Sequence, residues 1–193
     1  MKNVLLSRLP HAAAFAGLLL TLASPAQAAP GPFTLGAATP KTMTPATLAA
    51  AQKTDTRGQV SANKKALTFR QKTIRLVVVT GPDDDMLSYR IAGLRTPTLI
   101  VPRGATLRVL FVNTDDDMAH NIRFGGLQKS YPNAMDAYMH KSVGASPLPH
   151  KTETAFTGEE LTLCAPATPG AYAYLCTVRG HAQGGMIGTV IVR

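Results

Sequence analysis

The sequence predicts an all-β fold: a Greek-key β-sandwich or barrel of about seven or eight strands with a short N-terminal helix and strand extension. Beyond residue 66 the chain consists of short segments with alternating apolar residues, separated by turns rich in Gly, Pro and Asp. No pattern with the period of a long helix follows residue 60. About 165 residues follow the apolar N-terminal leader, which is the length of one ordinary domain.

The first 28 residues have the composition of a signal peptide. Lys2 and Arg8 give a positive start, and an apolar run follows them. Residues 26–28, Ala-Gln-Ala, are a small-residue cleavage sequence, so the mature chain is expected to begin at Ala29 in the periplasm. An uncleaved N-terminal anchor is the alternative, although the apolar run is short for a membrane span.

Residues 29–66 are predicted to form a flexible segment and the N-terminal extension, and residues 67–193 the folded β domain. The first part of the extension is rich in Pro, Ala, Thr and Gly, which is typical of a mobile segment. Thr44 and Pro45 are typical of the N-cap and first turn of a helix, which is expected over residues 46–53.

The strands are predicted from the two-residue period of apolar side chains and from the turns that bound them. Ile74, Leu76 and Val78, for example, share one face of a predicted strand. The predicted strands are residues 66–70, 73–79, 98–101, 106–112, 120–124, 160–164, 171–176 and 187–192. Residues 125–152 are predicted to be a long loop, and loops of this length are usually functional or packed over another part of the domain.

The chain is basic, with 20 Lys and Arg residues against 11 Asp and Glu and a net charge of +9. Without Lys2 and Arg8 the charge of the mature chain is about +7. Such a charge favours a partner with an acidic surface. Nucleic acid is disfavoured as a partner, because the sequence has no basic stripe with interleaved aromatic residues and carries an export signal.

Four residues have the chemistry and spacing of a copper site. Cys176, His181 and Met186 are separated by four residues each, and His120 stands at the start of an upstream predicted strand. A thiolate and two imidazoles form the trigonal ligand set of a blue-copper electron-transfer site, with a thioether as weak axial ligand. We therefore predict one type 1 copper ion in this set, with Met186 as the axial ligand. Zinc is the main competing metal, but structural zinc sites prefer more Cys and His ligands and rarely use Met.

Neighbouring residues suit such a site. Gly180, Gly184 and Gly185 allow the ligand loop to turn sharply, because glycine adopts backbone angles that other residues avoid. Asn121 follows the first candidate histidine, and its side chain could hydrogen-bond across to the cysteine loop and hold the ligand set together.

Other residues of the same types have alternative interpretations. A Cys164–Cys176 disulfide is the simplest alternative in an exported protein, whereas Cys164 would be a small buried hydrophobic residue if Cys176 binds copper. His140 and His150 are interpreted as surface histidines rather than a second metal site. The run Asp115–Asp117 is interpreted as a solvated turn, although it precedes the first candidate histidine and could place negative charge near the copper.

These residues resemble the cupredoxins, the type 1 blue copper proteins, and within them the rusticyanin group. The Cys-x4-His-x4-Met spacing of Cys176, His181 and Met186 is shared by that group. Residues 102–114, before the first histidine, and residues 169–174, before the cysteine, also resemble it. The likeness covers about 150 residues and is strongest from residue 96 to 193.

The resemblance implies a cupredoxin-like sandwich and an exported one-electron carrier rather than an enzyme. Its copper would shuttle between Cu(II) and Cu(I) and pass electrons between respiratory-chain proteins. The implied partners are redox proteins such as cytochromes, which would dock on a monomer with no stable membrane insertion after signal cleavage. We expect His181 to reach the surface within an apolar ring of Ala182, Met186 and Ile187, and Arg179 to steer the partner.

A periplasmic copper-binding or copper-delivery protein is the alternative function. The thiolate, thioether and imidazole set can hold Cu(I). An enzyme is disfavoured, because a catalytic copper would need further histidine ligands and usually a second domain, and the chain has five histidines in all.

Overall fold

A computed structural model describes residues 32–193, so the predicted signal peptide and its cleavage site lie outside the described residues. Within that range the α-helices are Pro45–Gln52 (α1) and Asp136–Met139 (α2). The strands are Thr34–Met43 (β1), Gln59–Val60 (β2), Ala66–Thr68 (β3), Thr73–Thr80 (β4), Tyr89–Ile91 (β5), Leu94–Arg95 (β6), Thr98–Val101 (β7), Thr106–Asn113 (β8), Arg123–Gly126 (β9), Val143–Gly144 (β10), Phe156–Cys164 (β11), Gly170–Leu175 (β12) and Ile187–Val192 (β13). Neither helix is long and apolar enough to cross a bilayer.

The strands form two sheets packed as a sandwich, as the sequence predicts. One sheet has the order β1-β11-β8-β4-β5-β6 and the other the order β10-β9-β12-β13-β7-β3-β2. Most neighbours are antiparallel, whereas β4 and β8, β7 and β13, and β3 and β7 run parallel. The strands outnumber the seven or eight predicted, because several of them have only two to four residues and show no alternation in the sequence.

The hydrophobic core lies between the two sheets and follows the predicted alternation. Ile74, Leu76 and Val78 of β4 belong to the main buried cluster. Val77, on the opposite face of the strand, packs in a second cluster with Leu48 of α1. The helix begins as predicted, because the Thr44 side chain accepts the Thr47 N–H and Pro45 occupies the first turn. It therefore covers the outer face of the first sheet.

The predicted flexible segment is wrong for residues 34–43, which form β1 and pair with β11 along the whole strand. The long loop of residues 125–152 contains α2 and β10 and returns to the second sheet, where Val143 pairs with Phe124. The loop thus packs over the domain, as its length suggested.

The segments that carry the predicted ligands lie at the same end of neighbouring strands in the second sheet. Leu175, the last residue of β12, pairs with Arg123 on β9 and with Ile187 on β13. Residues just before β9, just after β12 and just before β13 therefore meet at the same end of the sandwich.

Candidate metal centre

Three ligand-type side chains converge at that end of the sandwich. The nitrogen and sulfur atoms of His120, Cys176 and His181 lie within 4.8 Å of one another, and all three residues are buried. His181 Nδ1 lies 3.5 Å from Cys176 Sγ and 3.2 Å from His120 Nδ1. Two imidazole nitrogens and one sulfur thus face a common point, which is the donor set of a trigonal copper site.

The ligand loop between β12 and β13 is fixed by its own backbone. The N–H of Cys176 donates to the Met186 carbonyl at 3.1 Å, and the N–H of Met186 donates to the His181 carbonyl at 2.9 Å. Gly180 and Gly185 have φ angles of 81° and 105°, which glycine adopts without strain. The backbone of Met186 is thereby joined to both neighbouring candidate ligands, and its side chain is fully buried in the main core cluster, to which Cys176 also belongs. Its role as axial ligand stays a prediction.

His120 comes from a separate segment that is held by a short bridge. Its N–H donates to the Leu148 carbonyl at 3.1 Å, and the Leu148 N–H donates back to the His120 carbonyl at 2.8 Å. The predicted strand over residues 120–124 begins later than expected, at Arg123. The bridge to Leu148 positions His120 instead.

A carboxylate contacts the back of the first histidine. Asp115 Oδ2 lies 3.0 Å from His120 Nε2, and the two side chains are 3% and 0% exposed. Of the run Asp115–Asp117, only Asp115 is buried, so the interpretation as a solvated turn is wrong for this residue. Nothing in three consecutive aspartates distinguishes one of them. The weak signal was the distance of five residues from His120, which lets a turn fold back onto the ring.

Burial dominates the protonation of the cluster. It lowers the pKa of His120, against the opposing effect of Asp115, and together with His120 it lowers the pKa of His181 to about 4. Both rings are therefore neutral near pH 7 and can offer a lone pair to a metal. Burial also raises the pKa of the Cys176 thiol to about 11, whereas backbone N–H groups of Asn121 and Val178 act in the opposite direction. The pKa of Asp115 is lowered to about 2, because burial is outweighed by its hydrogen bonds.

The predicted role of Asn121 in joining the two ligand segments agrees with the hydrogen bonding of its side chain. Its amide accepts the Thr177 N–H and donates to the Thr177 hydroxyl, both at 2.8 Å. Its backbone carbonyl accepts a 2.6 Å hydrogen bond from the fully buried Tyr89 hydroxyl. Sequence reasoning identified neither Thr177 nor Tyr89 as part of this bracing.

The other candidate residues lie outside the cluster. His140 and His150 are exposed and belong to no ligand-type group in residues 32–193. Both cysteines are free, so the disulfide alternative is wrong, and Cys164 is exposed rather than buried.

The surface near His181 also differs from the expectation. His181 is only 8% exposed, and the proposed ring members Ala182 and Met186 are buried. Arg179 is exposed as expected. The half-buried Leu87 packs against the ligand loop. Its side chain is so close to Gly184 that a Cβ at that glycine would lie only 2.6 Å from it.

Comparisons with known proteins agree with this geometry. Residues 78–193 match the family of copper binding proteins described as the plastocyanin/azurin family. The chain is 32% identical over 140 residues to rusticyanin of Acidithiobacillus ferridurans. The alignment covers 70% of this chain and 71% of that protein. It is 31% identical over 140 residues to rusticyanin of Acidithiobacillus ferrooxidans, with the same coverage.

Solved structures of rusticyanin share the fold. Reduced rusticyanin, solved at 1.9 Å, superposes with a TM-score of 0.70 at 27% identity, over 80% of this chain and all of that one. The 1.27 Å structure of rusticyanin from Thiobacillus ferrooxidans gives a TM-score of 0.69 at 30% identity, over 80% of this chain and 97% of that one.

Proposed function

This chain belongs to the plastocyanin/azurin family of copper-binding proteins, and from that premise we propose that it is an exported one-electron carrier of a respiratory chain. His120, Cys176 and His181 would hold the copper, and Met186 would be a fourth, weaker ligand. The copper supplies the one-electron change between Cu(II) and Cu(I). The observation that carries the proposal is the convergence of a buried thiol and two neutral imidazoles at one end of a rigid sandwich.

The protein contributes a site that changes little when its charge changes. The ligand loop is closed by its own hydrogen bonds, and Asn121 joins the segments of the first histidine and the cysteine. Burial of the three side chains keeps water away from the metal position. A site braced in this way favours repeated electron exchange with the metal retained, and it disfavours the alternative of copper delivery, which needs accessible ligands.

The visible absorption spectrum of the protein loaded with Cu(II) tests the copper site. We expect an intense thiolate-to-copper band that disappears in Cys176→Ser. Cys164→Ser is the matched control, because Cys164 is a free, exposed thiol on β11 and its variant should keep the band. An absent band, or a band that survives in Cys176→Ser, would contradict the site.

A redox titration separates the carrier from a delivery protein. A carrier cycles reversibly with copper retained, whereas a delivery protein loses copper to an added chelator for Cu(I) when reduced. Copper retention after ten cycles, with less than about a tenth of the metal lost, is the expected outcome. The proposed export signal is tested separately: if it is cleaved as predicted, the mass of the protein exported by a bacterial host should correspond to a chain that begins at Ala29.

The partner is proposed to be a cytochrome or similar redox protein that docks near His181. Arg179 is an exposed cation two residues before this ligand. Asp116 and Asp117 are exposed carboxylates four and three residues before His120, so the copper end carries charges of both signs. If the partner surface is acidic, Arg179→Gln should slow electron transfer at low salt, whereas Asp117→Asn should not. The reverse pattern would indicate a basic partner.

A further inference from the structure

We propose that Asp115 is a positioning residue of the copper centre, which fixes the ring of His120 and lowers the reduction potential of the metal. The proposal rests on the copper site of the proposed function. The carboxylate contacts the ring nitrogen that faces away from Cys176 and His181, since Nε2 lies against Asp115 while Nδ1 lies 3.2 Å from His181 Nδ1. The three groups therefore stand in the order carboxylate, histidine, metal position.

The carboxylate is itself held rigidly. Its Oδ1 accepts the N–H groups of Asp117 and Met118 at 3.0 and 2.9 Å, which leaves Oδ2 for His120. The backbone N–H of Asp115 donates to Asn113 Oδ1 at 3.1 Å. The Asn113 amide in turn donates to the carbonyl of Leu148, the residue bridged to His120. One network thus positions both the backbone and the ring of His120.

The environment of Asp115 selects a carboxylate over an amide. Three donors converge on the side chain: two backbone N–H groups on Oδ1 and the ring N–H of His120 on Oδ2. An ionised carboxylate accepts at both oxygens, whereas an amide presents N–H groups on one side. As long as His120 carries its proton on Nε2, asparagine at this position would place donor against donor at one of the two contacts.

The contact also selects the tautomer of the histidine. A neutral imidazole carries its proton on one nitrogen and a lone pair on the other. Asp115 stabilises the proton on Nε2, so the lone pair of Nδ1 points to the cluster before any metal binds. The ring is thereby prepared for coordination.

The charge of Asp115 acts on the metal through the ring. An ionised carboxylate in a buried contact stabilises the more positive Cu(II) form over Cu(I). Asp116, the next residue, is 55% exposed in its side chain and pairs loosely with Lys151 at 3.7 Å. Its charge is screened by solvent and salt, so it should affect the potential far less.

The reduction potential of the copper protein tests this proposal, with Asp115→Asn as the variant and Asp116→Asn as the matched control. Each removes one formal negative charge at neighbouring positions. At a fixed solution potential we expect Asp115→Asn to raise the Cu(I) to Cu(II) ratio about tenfold, or ~59 mV for one electron. Asp116→Asn should change the ratio less than about threefold. Equal shifts in the two variants, or no shift in Asp115→Asn, would overturn the proposal.

A second measurement needs no copper. Long-range proton–nitrogen NMR of the metal-free protein reports the tautomer of His120, and we expect the Nε2–H form in the wild type. Asp115→Ala should populate the Nδ1–H form or broaden the signal by exchange. A wild-type ring in the Nδ1–H form would refute the contact even if Asp115→Asn fails to fold. If the wild type gives no thiolate-to-copper band, the proposed function fails, while the tautomer still decides whether Asp115 orients the ring.

Discussion

Asn121 and Thr177 are joined by two hydrogen bonds of 2.8 Å, one through the Thr177 backbone N–H and one through its hydroxyl. Asn121 directly follows His120, and Thr177 directly follows Cys176. The pair therefore connects the two ligand segments, which are 56 residues apart in sequence, just beyond the point where the pairing of β9 and β12 ends at Arg123 and Leu175. Both residues are buried, so neither hydrogen bond can be replaced by bulk water.

Asn121→Ala should reduce the free energy of unfolding by about 2 to 4 kcal/mol, because it leaves the buried Thr177 N–H without an acceptor. Thr177→Val, which removes only the hydroxyl, should cost about 1 kcal/mol. Urea denaturation of the metal-free variants measures both. Equal losses in the two variants would show that the backbone contact adds nothing.

Gly188→Ala should be among the most damaging small substitutions in the chain. A Cβ at this position would overlap the ring of Tyr174, which is fully buried and donates from its hydroxyl to the Pro97 carbonyl at 2.6 Å. The ring cannot move away without breaking that hydrogen bond, so we expect a loss of about 3 kcal/mol of unfolding free energy.

Gly126→Ala is the control for this substitution, because Gly126 is an exposed strand residue with open space where its Cβ would stand. It should change the unfolding free energy by less than about 1 kcal/mol. A Gly188→Ala variant as stable as the control would show that the second sheet can shift at this position.

The sequence predicted the elements whose residues carry a strong local pattern. Ile74, Leu76 and Val78 alternate and lie in the core, and the spacing of Cys176 and His181 identified two side chains that meet. Strand β1 had no such signal, because its residues from Thr34 to Pro40 are exposed and pair through the backbone alone. An edge strand of this kind also tolerates proline.

Individual polar contacts could not be predicted from the local sequence pattern. The role of Asp115 depends on a turn that brings one of three consecutive aspartates into contact with the ring of His120. Arg123 was predicted only as part of a strand, and its hydrogen bonds to residues 139–145 depend on where the long loop returns. Such contacts are set by tertiary packing and leave no periodicity in the sequence.

Asp55 makes stability depend on pH away from the metal centre. Burial raises its pKa from 3.8 to about 6, although the Val77 N–H donates to its carboxylate at 2.7 Å and Arg75 is nearby. The unfolded chain loses the proton near pH 4 while the folded chain keeps it until about pH 6. The contribution is therefore fully present below about pH 4 and is lost as the pH rises through 6.

Asp55→Asn should stabilise the protein at pH 7 by about 1 kcal/mol after allowance for solvent screening of this half-buried group, and the gain should vanish near pH 4. The Asn oxygen can still accept the Val77 N–H. Chemical denaturation at pH 4 and pH 7 measures the effect, with the exposed Asp84→Asn as control. A gain that is equal at both pH values would contradict the assigned ionisation.

Arg123 ties the long loop to the second sheet beside the metal centre. Its guanidinium donates to the Ser142 hydroxyl at 3.0 Å, to the Ser142 carbonyl and to the Met139 carbonyl at 3.2 Å. The same part of the chain, through Tyr138, packs in a cluster with Ala182 of the ligand loop. The guanidinium thus helps to hold the segment around Tyr138 against one side of the ligand loop.

Arg123→Met keeps the aliphatic length but removes every donor, so several half-buried carbonyls lose their partner. We expect a loss of about 2 to 3 kcal/mol of unfolding free energy. Relative to the wild type, amide hydrogen exchange should also accelerate more across residues 136–145 than in the strands. Arg108→Met is the matched control, because this arginine is 51% exposed and its ion pair with Glu160 lies on the surface, where such pairs contribute less than about 1 kcal/mol. If the two variants lose equal stability and residues 136–145 exchange no faster in Arg123→Met, the loop is held by Tyr138 and its apolar neighbours, and the guanidinium adds nothing beyond a surface charge.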